Sequence, residues 1–400
     1  MTRQWPSIIM LWLIGVLAAA QFARMAVVAP LMRTTLGLTL SQAGWLISLL
    51  EVGGALFGFV AGLALARVSV HRFLLLGLAI LAGTGLVEAI ATGATTLFVA
   101  RAAEGIGYLF VVIAAPTAIA ATASDAIRPR ALALWSTFVP VGIAAGAAVS
   151  GFLLTVTSMR GTALVWVSLV VASGVLVARF RIAGSAIHAI RLPAPAAWVS
   201  TFGFGLYTIF ISALTMLLPS FLIEQAGATM GQSALSAACA SLGVLPATAA
   251  AMLVMRNDRM SARRSATIAA VSLLAAVPFV LALYRIDGLA LLTRAALAVL
   301  AVTVSGLVPP IVFARLPQLA GATTPDDPRI ATANGLITQF GAGGALIGPP
   351  LGGLIVGWSG WSGLGVAASL LLIAMLAAFV LAEMIGAGAA RLSVGYAAPK

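Results

Sequence analysis

Twelve apolar runs, each about as long as a bilayer is thick, divide this chain from end to end. A helix that crosses hydrocarbon needs about 20 mostly apolar residues. Such runs lie near residues 7–31, 41–65, 73–92, 95–119, 131–156 and 162–179. Six more lie near 197–222, 232–255, 265–284, 288–314, 330–356 and 362–385. Lipid offers the backbone no hydrogen bonds, so a spanning segment must be a helix or part of a closed barrel. The runs lack the period-2 alternation of barrel strands, and an all-α membrane protein is expected. Of 400 residues, 62% are apolar and 8% charged. A soluble domain carries about 25% charge. So little charge cannot cover a water-facing surface, which excludes a soluble enzyme, a disordered tail and a nucleic-acid binder. The first run lacks a small-residue cleavage site and reads as a spanning helix, not a signal peptide. Cys239, the one cysteine, cannot form an internal disulfide.

The net charge of +12 has its explanation in topology. Basic residues gather in cytoplasmic loops. With the N-terminus inside, sixteen of the 22 basic residues fall on the cytoplasmic side and three, Arg33, Arg160 and Arg285, outside. Both termini are then cytoplasmic, as for a bacterial inner-membrane protein.

The chain also repeats itself. Ala66-Arg67-Val68-Ser69-Val70-His71-Arg72 matches Asp258-Arg259-Met260-Ser261-Ala262-Arg263-Arg264, and Arg101-Ala102-Ala103 matches Arg294-Ala295-Ala296. Gly142, Gly146 and Gly151 match Gly344, Gly348 and Gly353. Three landmarks in one order imply two six-helix halves, residues 1–180 and 197–400, joined by a cytoplasmic linker at 181–196. Parallel repeats of this kind place a substrate site at the midplane between halves.

On these features the sequence resembles the major facilitator superfamily over essentially its whole length. The loop after the second run is similar to that family's gating motif, Gly-x-x-x-Asp-Arg-x-Gly-Arg-Arg. Gly62, Arg67 and Arg72 match, while Ala66 stands for the Asp and Ser69 for the Gly. The second copy keeps Asp258, Arg259, Arg263 and Arg264. Arg101-x-x-x-Gly105-x-Gly107 is similar to the family's fourth-span motif, which is linked to proton coupling. Gly344-x-x-x-Gly348-Pro349-Pro350 looks like the Gly-Pro motif of antiporters. The resemblance implies twelve helices in two pseudo-symmetric bundles, a cavity lined by spans 1, 4, 7 and 10, and transport by alternating access. A loose similarity to organic-anion and cyanate-type carriers rests on an Arg late in span 1.

Five interior charges are expensive enough to need a partner or a role: Arg24, Glu51, Arg101, Glu104 and Arg294. At 1.5 Å per residue they lie about 9–15 Å below the outer surface. Three Arg against two Glu suggest an anion cavity. Arg24 would grip a carboxylate bidentately, with Gln21 on its face and Arg294 opposite. Tyr207, Tyr108, Asn334 and Gln339 are further candidate substrate contacts. Glu51 and Glu104 are candidate proton carriers, with Arg101 beside them. Arg101 and Glu104, spaced i, i+3, also suit a plain ion pair on one helix. Glu383, near a span end, reads as a snorkelling surface charge. No nucleophile, Walker or dinucleotide motif and no metal-ligand cluster is present, so neither enzyme chemistry nor a cofactor is expected. The leading expectation is a monomeric secondary transporter moving a small organic anion with protons. The alternative is a proton-coupled exporter of drugs or metabolites, and a third reading is a non-transporting receptor on the same fold.

Overall fold

The computed structural model describes residues 4–65, 69–124, 127–135, 137–179, 191–255, 261–322 and 327–396. All regular elements among them are helices. The spans of the first half are α1 (Trp5–Leu36), α2 (Leu40–Ser48 and Val52–Leu65), α3 (Val70–Ile90), α4 (Ala94–Thr122), α5 (Phe138–Val156) and α6 (Met159–Ala178). The second half holds α7 (Pro195–Ala226), α8 (Met230–Leu242 and Val244–Met255), α9 (Ala262–Arg285) and α10 (Leu291–Ser305 and Val308–Leu319). Residues 328–396 run on as helix except at Gly360, whose φ of 69° and ψ of −177° reverse the chain. Only glycine adopts that backbone at little cost. It separates α11 (328–359) from α12 (361–396) and completes the twelve spans.

Each half has its own apolar core. One gathers Leu11, Leu46, Leu74, Val111 and Val170, and the other Phe210, Leu217, Leu273, Val302 and Phe379. The repeat is structural. α1 and α7 each begin with Pro in the first turn, and each ends on a left-handed glycine, Gly37 and Gly227. The following helices then start with the same capping box, Thr39 with Gln42 and Thr229 with Gln232. Reciprocal bonds of this kind satisfy two orphan donors and fix where a helix starts. About ten residues on, both helices break, α2 at a 3-10 turn over Leu49–Glu51 and α8 at Gly243.

The serine of the repeated loop also has a physical task. The Ser69 hydroxyl accepts from the Arg72 backbone N–H at 3.3 Å, and the Ser261 hydroxyl from that of Arg264 at 3.3 Å. Each serine caps the third helix of its half. Arg72 and Arg263 are exposed beside these caps, whereas Arg67, Asp258 and Arg259 lie outside the described residues. The first part of the linker, 181–190, also lies outside them.

Three sequence expectations need correction. The fifth run is not one helix from 131, because a short helix over Arg128–Trp135 precedes α5, with Trp135 stacked on Phe138 across the turn. α10 extends beyond 314 to Leu319, which carries Arg315 into the bundle. Glu383 is therefore no surface charge. Both its oxygens accept from Arg315, Nε at 2.7 Å and Nη2 at 2.6 Å, and both residues are buried. This bidentate pair ties α10 to α12.

Candidate functional site

An ionic cluster crosses the first half. Arg24 Nη2 on α1 donates to Glu88 Oε2 on α3 at 2.5 Å and lies 3.5 Å from Glu104 Oε1 on α4. Arg101, 0% exposed, pairs with Glu104 one turn along α4. Its remaining donors reach backbone: Nε to the Leu46 carbonyl at 3.0 Å, and Nη2 to those of Ile47 at 3.2 Å and Gln21 at 2.8 Å. Two of these acceptors, Leu46 and Ile47, lie just before the 3-10 turn in α2, where the Val52 N–H bonds to the Leu49 carbonyl and interrupts the regular i→i+4 ladder. The cluster holds two Arg and two Glu and is neutral.

In this arrangement Arg24, expected to grip an anion, already has a carboxylate partner. Glu88 was not among the interior charges, yet it is Arg24's closest partner; a lone acid on the apolar third run was the signal for it. Including Glu88, the interior layer balances three Arg with three Glu. Arg24 is buried and already engaged. Gln21 is buried too, and its side-chain amide donates to the Leu17 carbonyl at 3.2 Å, back along its own helix. Arg294 does not meet Arg24. It is buried in the other half, where Nε donates to the Leu289 carbonyl at 3.2 Å and the guanidinium lies 5.1 Å from the Phe221 ring centre. Phe221 itself joins a ring cluster with Tyr284 and Trp361. The two arginines align in the repeat, but each meets its desolvation cost by different means.

The open space lies elsewhere. A cavity of about 500 Å³ runs between α7 and α11, with Ala55 of α2 facing it from the other half. Trp198, Phe202, Leu206 and Ile209 line one wall, and Leu336, Gln339, Phe340 and Ile347 the other. Leu192 and Pro193 border its end at the face where α1 and α7 begin. Gln339, Thr332 and the Trp198 indole are the polar side chains of the lining, and none of the lining residues is charged. Gly205 and Gly344 allow α7 and α11 to approach closely, as small residues do in membrane bundles. Of the predicted substrate contacts, Gln339 lines this cavity. Asn334 is exposed outside it. Tyr108 is buried on α4, and Tyr207 is buried on α7 with no hydrogen-bond partner for its hydroxyl among the described residues.

Glu51 stands apart from the ionic cluster. It lies at the end of the α2 break, half-buried, and no ion pair to it is found among the described residues. Ala55, one helical turn further on, lines the cavity.

At the face opposite the starts of α1 and α7, the halves are closed against each other. Arg33 at the end of α1 pairs with Glu224 at the end of α7, and Glu224 also accepts from the Trp361 indole at 3.0 Å. Ser41 Oγ donates to the Pro350 carbonyl at 3.0 Å. Gly44 sits directly on Pro349 and Pro350, and Gly353 on Leu40 and Ser41. An alanine seam of Ala23, Ala144, Ala147, Ala234 and Ala237 joins α1 and α5 to α8. These contacts hold the halves together at this face, and the cavity reaches toward the other.

No curated protein sequence matches this chain. Among solved structures, two of a bacterial homologue of the human lysosomal transporter Spinster share the fold. The inward-facing, occupied form superposes with a TM-score of 0.73 at 15% identity, covering 96% of each chain. The inward-facing, unoccupied form gives 0.74 at 16% identity, covering 98% of each. The family model described as Major Facilitator Superfamily matches residues 11–323. Twelve spans, an internal repeat and two bundles closed at one face agree with that match, and the chain belongs to the major facilitator superfamily.

Proposed function

We propose that the protein is a proton-coupled secondary transporter that exports small lipophilic molecules by alternating access. The observation that carries this reading is the lining of the cavity between α7 and α11: aromatic and aliphatic, with no charged residue. Apolar walls with a few polar groups suit a ligand whose affinity comes from buried area. The protein acts as a monomer in a bacterial inner membrane, with both termini cytoplasmic, as the sixteen-to-three placement of basic residues supports. The cavity then opens to the cytoplasm, while Arg33, Glu224, Gly44 and the alanine seam hold the outer side shut. Rocking of the halves exchanges the two closures.

The organic-anion reading draws on Arg24, whose Nε is buried without a hydrogen-bond partner. It requires Arg24 to release Glu88. One experiment separates the two. Purified protein is heated with a panel of small anions, lipophilic neutrals and lipophilic cations, for wild type and Arg24→Ala. A ligand at 100 times its dissociation constant stabilises by about 2.7 kcal/mol. The expected result is stabilisation by lipophilic compounds and none by small carboxylates. Stabilisation of wild type by carboxylates, abolished in Arg24→Ala, would establish the anion reading instead. Flux of the stabilising compound into liposomes bearing a pH gradient then tests transport against mere binding.

A further inference from the structure

Resting on the lipophilic reading above, we infer that the cavity takes a lipophilic monocation, with Glu51 as its counter-ion, and that cation and proton occupy that carboxylate by turns. Three placements carry this. Glu51 stands one turn from Ala55 on the cavity-facing side of α2. Its Oε2 lies 3.4 Å from where a side chain on Gly54 would begin, and that same point faces Ala342 of α11, next to the lining residue Gly343. The carboxylate therefore sits at the seam between halves, one turn from the lining residue Ala55. Trp198 and Phe202, 42% and 51% exposed, line the same cavity. Aromatic faces attract cations, more strongly when water is excluded.

The groups around Glu51 leave it as the local charge. α2 holds no other titratable residue between 40 and 65, and α11 holds none between 330 and 359. On α4, Tyr108 lies within its electrostatic reach, while Arg101 and Glu104 are paired with each other. On α1, Arg24 is held by Glu88. A lone carboxylate in a site of low polarity is poorly stabilised as a bare anion, so it holds either a proton or a cation. When the cation enters, the Glu51 O–H bond breaks, the proton leaves to water, and the carboxylate pairs with the cation. When the proton returns, the carboxyl re-forms and the cation is released. Sharing one group in this way couples the two fluxes in opposite directions.

The test uses two probes of similar shape, tetraphenylphosphonium and neutral triphenylphosphine oxide, titrated calorimetrically into the detergent-purified full chain. Wild type should bind the cation more tightly than the neutral probe. Cation binding should weaken as pH falls, and it should release a proton. Glu51→Gln should lose at least about tenfold in cation affinity together with its pH dependence. Glu51→Asp should retain both, and all three proteins should bind the neutral probe alike, which also reports that they are folded. Equal cation binding by wild type and Glu51→Gln would overturn the assignment of Glu51 while leaving the lipophilic cavity standing. Failure of both probes to bind wild type, or neutral-probe binding unchanged by Trp198→Ala, would overturn the cavity reading itself.

Discussion

Arg101→Ala should cost about 3–5 kcal/mol of stability, the loss found when one member of a buried ion pair is removed. The side chain is fully buried, and its deletion strands several groups at once. Glu104 loses its nearer cation and keeps only Arg24, 3.5 Å away. The Leu46, Ile47 and Gln21 carbonyls lose a shared donor. Arg101 joins α1, α2 and α4 through one planar fork, so Lys, a single point donor, should rescue little. Adding Glu104→Ala to Arg101→Ala should recover part of the loss, because the stranded carboxylate goes too. Thermal unfolding of the purified proteins measures all four. An Arg101→Ala protein as stable as wild type would mean that water or a rearranged partner replaces the guanidinium.

Gly44→Ala should act on conformation. A methyl group there would lie 2.5 Å from the Pro349 carbonyl carbon and 2.6 Å from the Pro350 nitrogen. Both are backbone atoms of the opposite half, and the Ser41 bond to the Pro350 carbonyl holds them close. No side chain can rotate away, so the halves must part. Overpacking costs about 1–3 kcal/mol, and only the state closed at this face carries that cost. The population should therefore shift by about five- to 150-fold toward the state open there. Spin labels at Thr35 and Gln225, at the ends of α1 and α7, would report it as a longer inter-label distance. Distances identical to wild type would show that the contact relaxes without opening.

Patterns that live on a single helix could be read from the chain. Long apolar runs announced the spans, and the i, i+3 spacing announced the Arg101–Glu104 pair. The repeated serine marked the caps of α3 and α9, although its sequence context suggested only gating. Pairings between helices could not be read in the same way. Arg24 meets Glu88 because of how α1 and α3 are rotated about their axes, and apolar helices in lipid carry little amphipathic phase to reveal that rotation. The Arg315–Glu383 pair depended on five further residues of α10. The cavity lies along α7 and α11, while the charges of α1, α3 and α4 are paired with one another. Gln339 was legible as polar within a span, but its place on the cavity wall depended on packing.

The 3-10 break in α2 turns one helix into two mechanical pieces. Its outer piece is riveted, through the Leu46 and Ile47 carbonyls, to the guanidinium that also grips α1 and α4. Its inner piece, from Val52, carries Ala55 along the cavity and Gly58 against Gln339, free of that rivet. Glu51 stands at the joint. A helix built as one rod would pass any tilt of its inner end straight to the outer seal. A jointed one lets the inner arm follow the contents of the cavity while the outer arm keeps station, and places the chargeable group at the elbow between them.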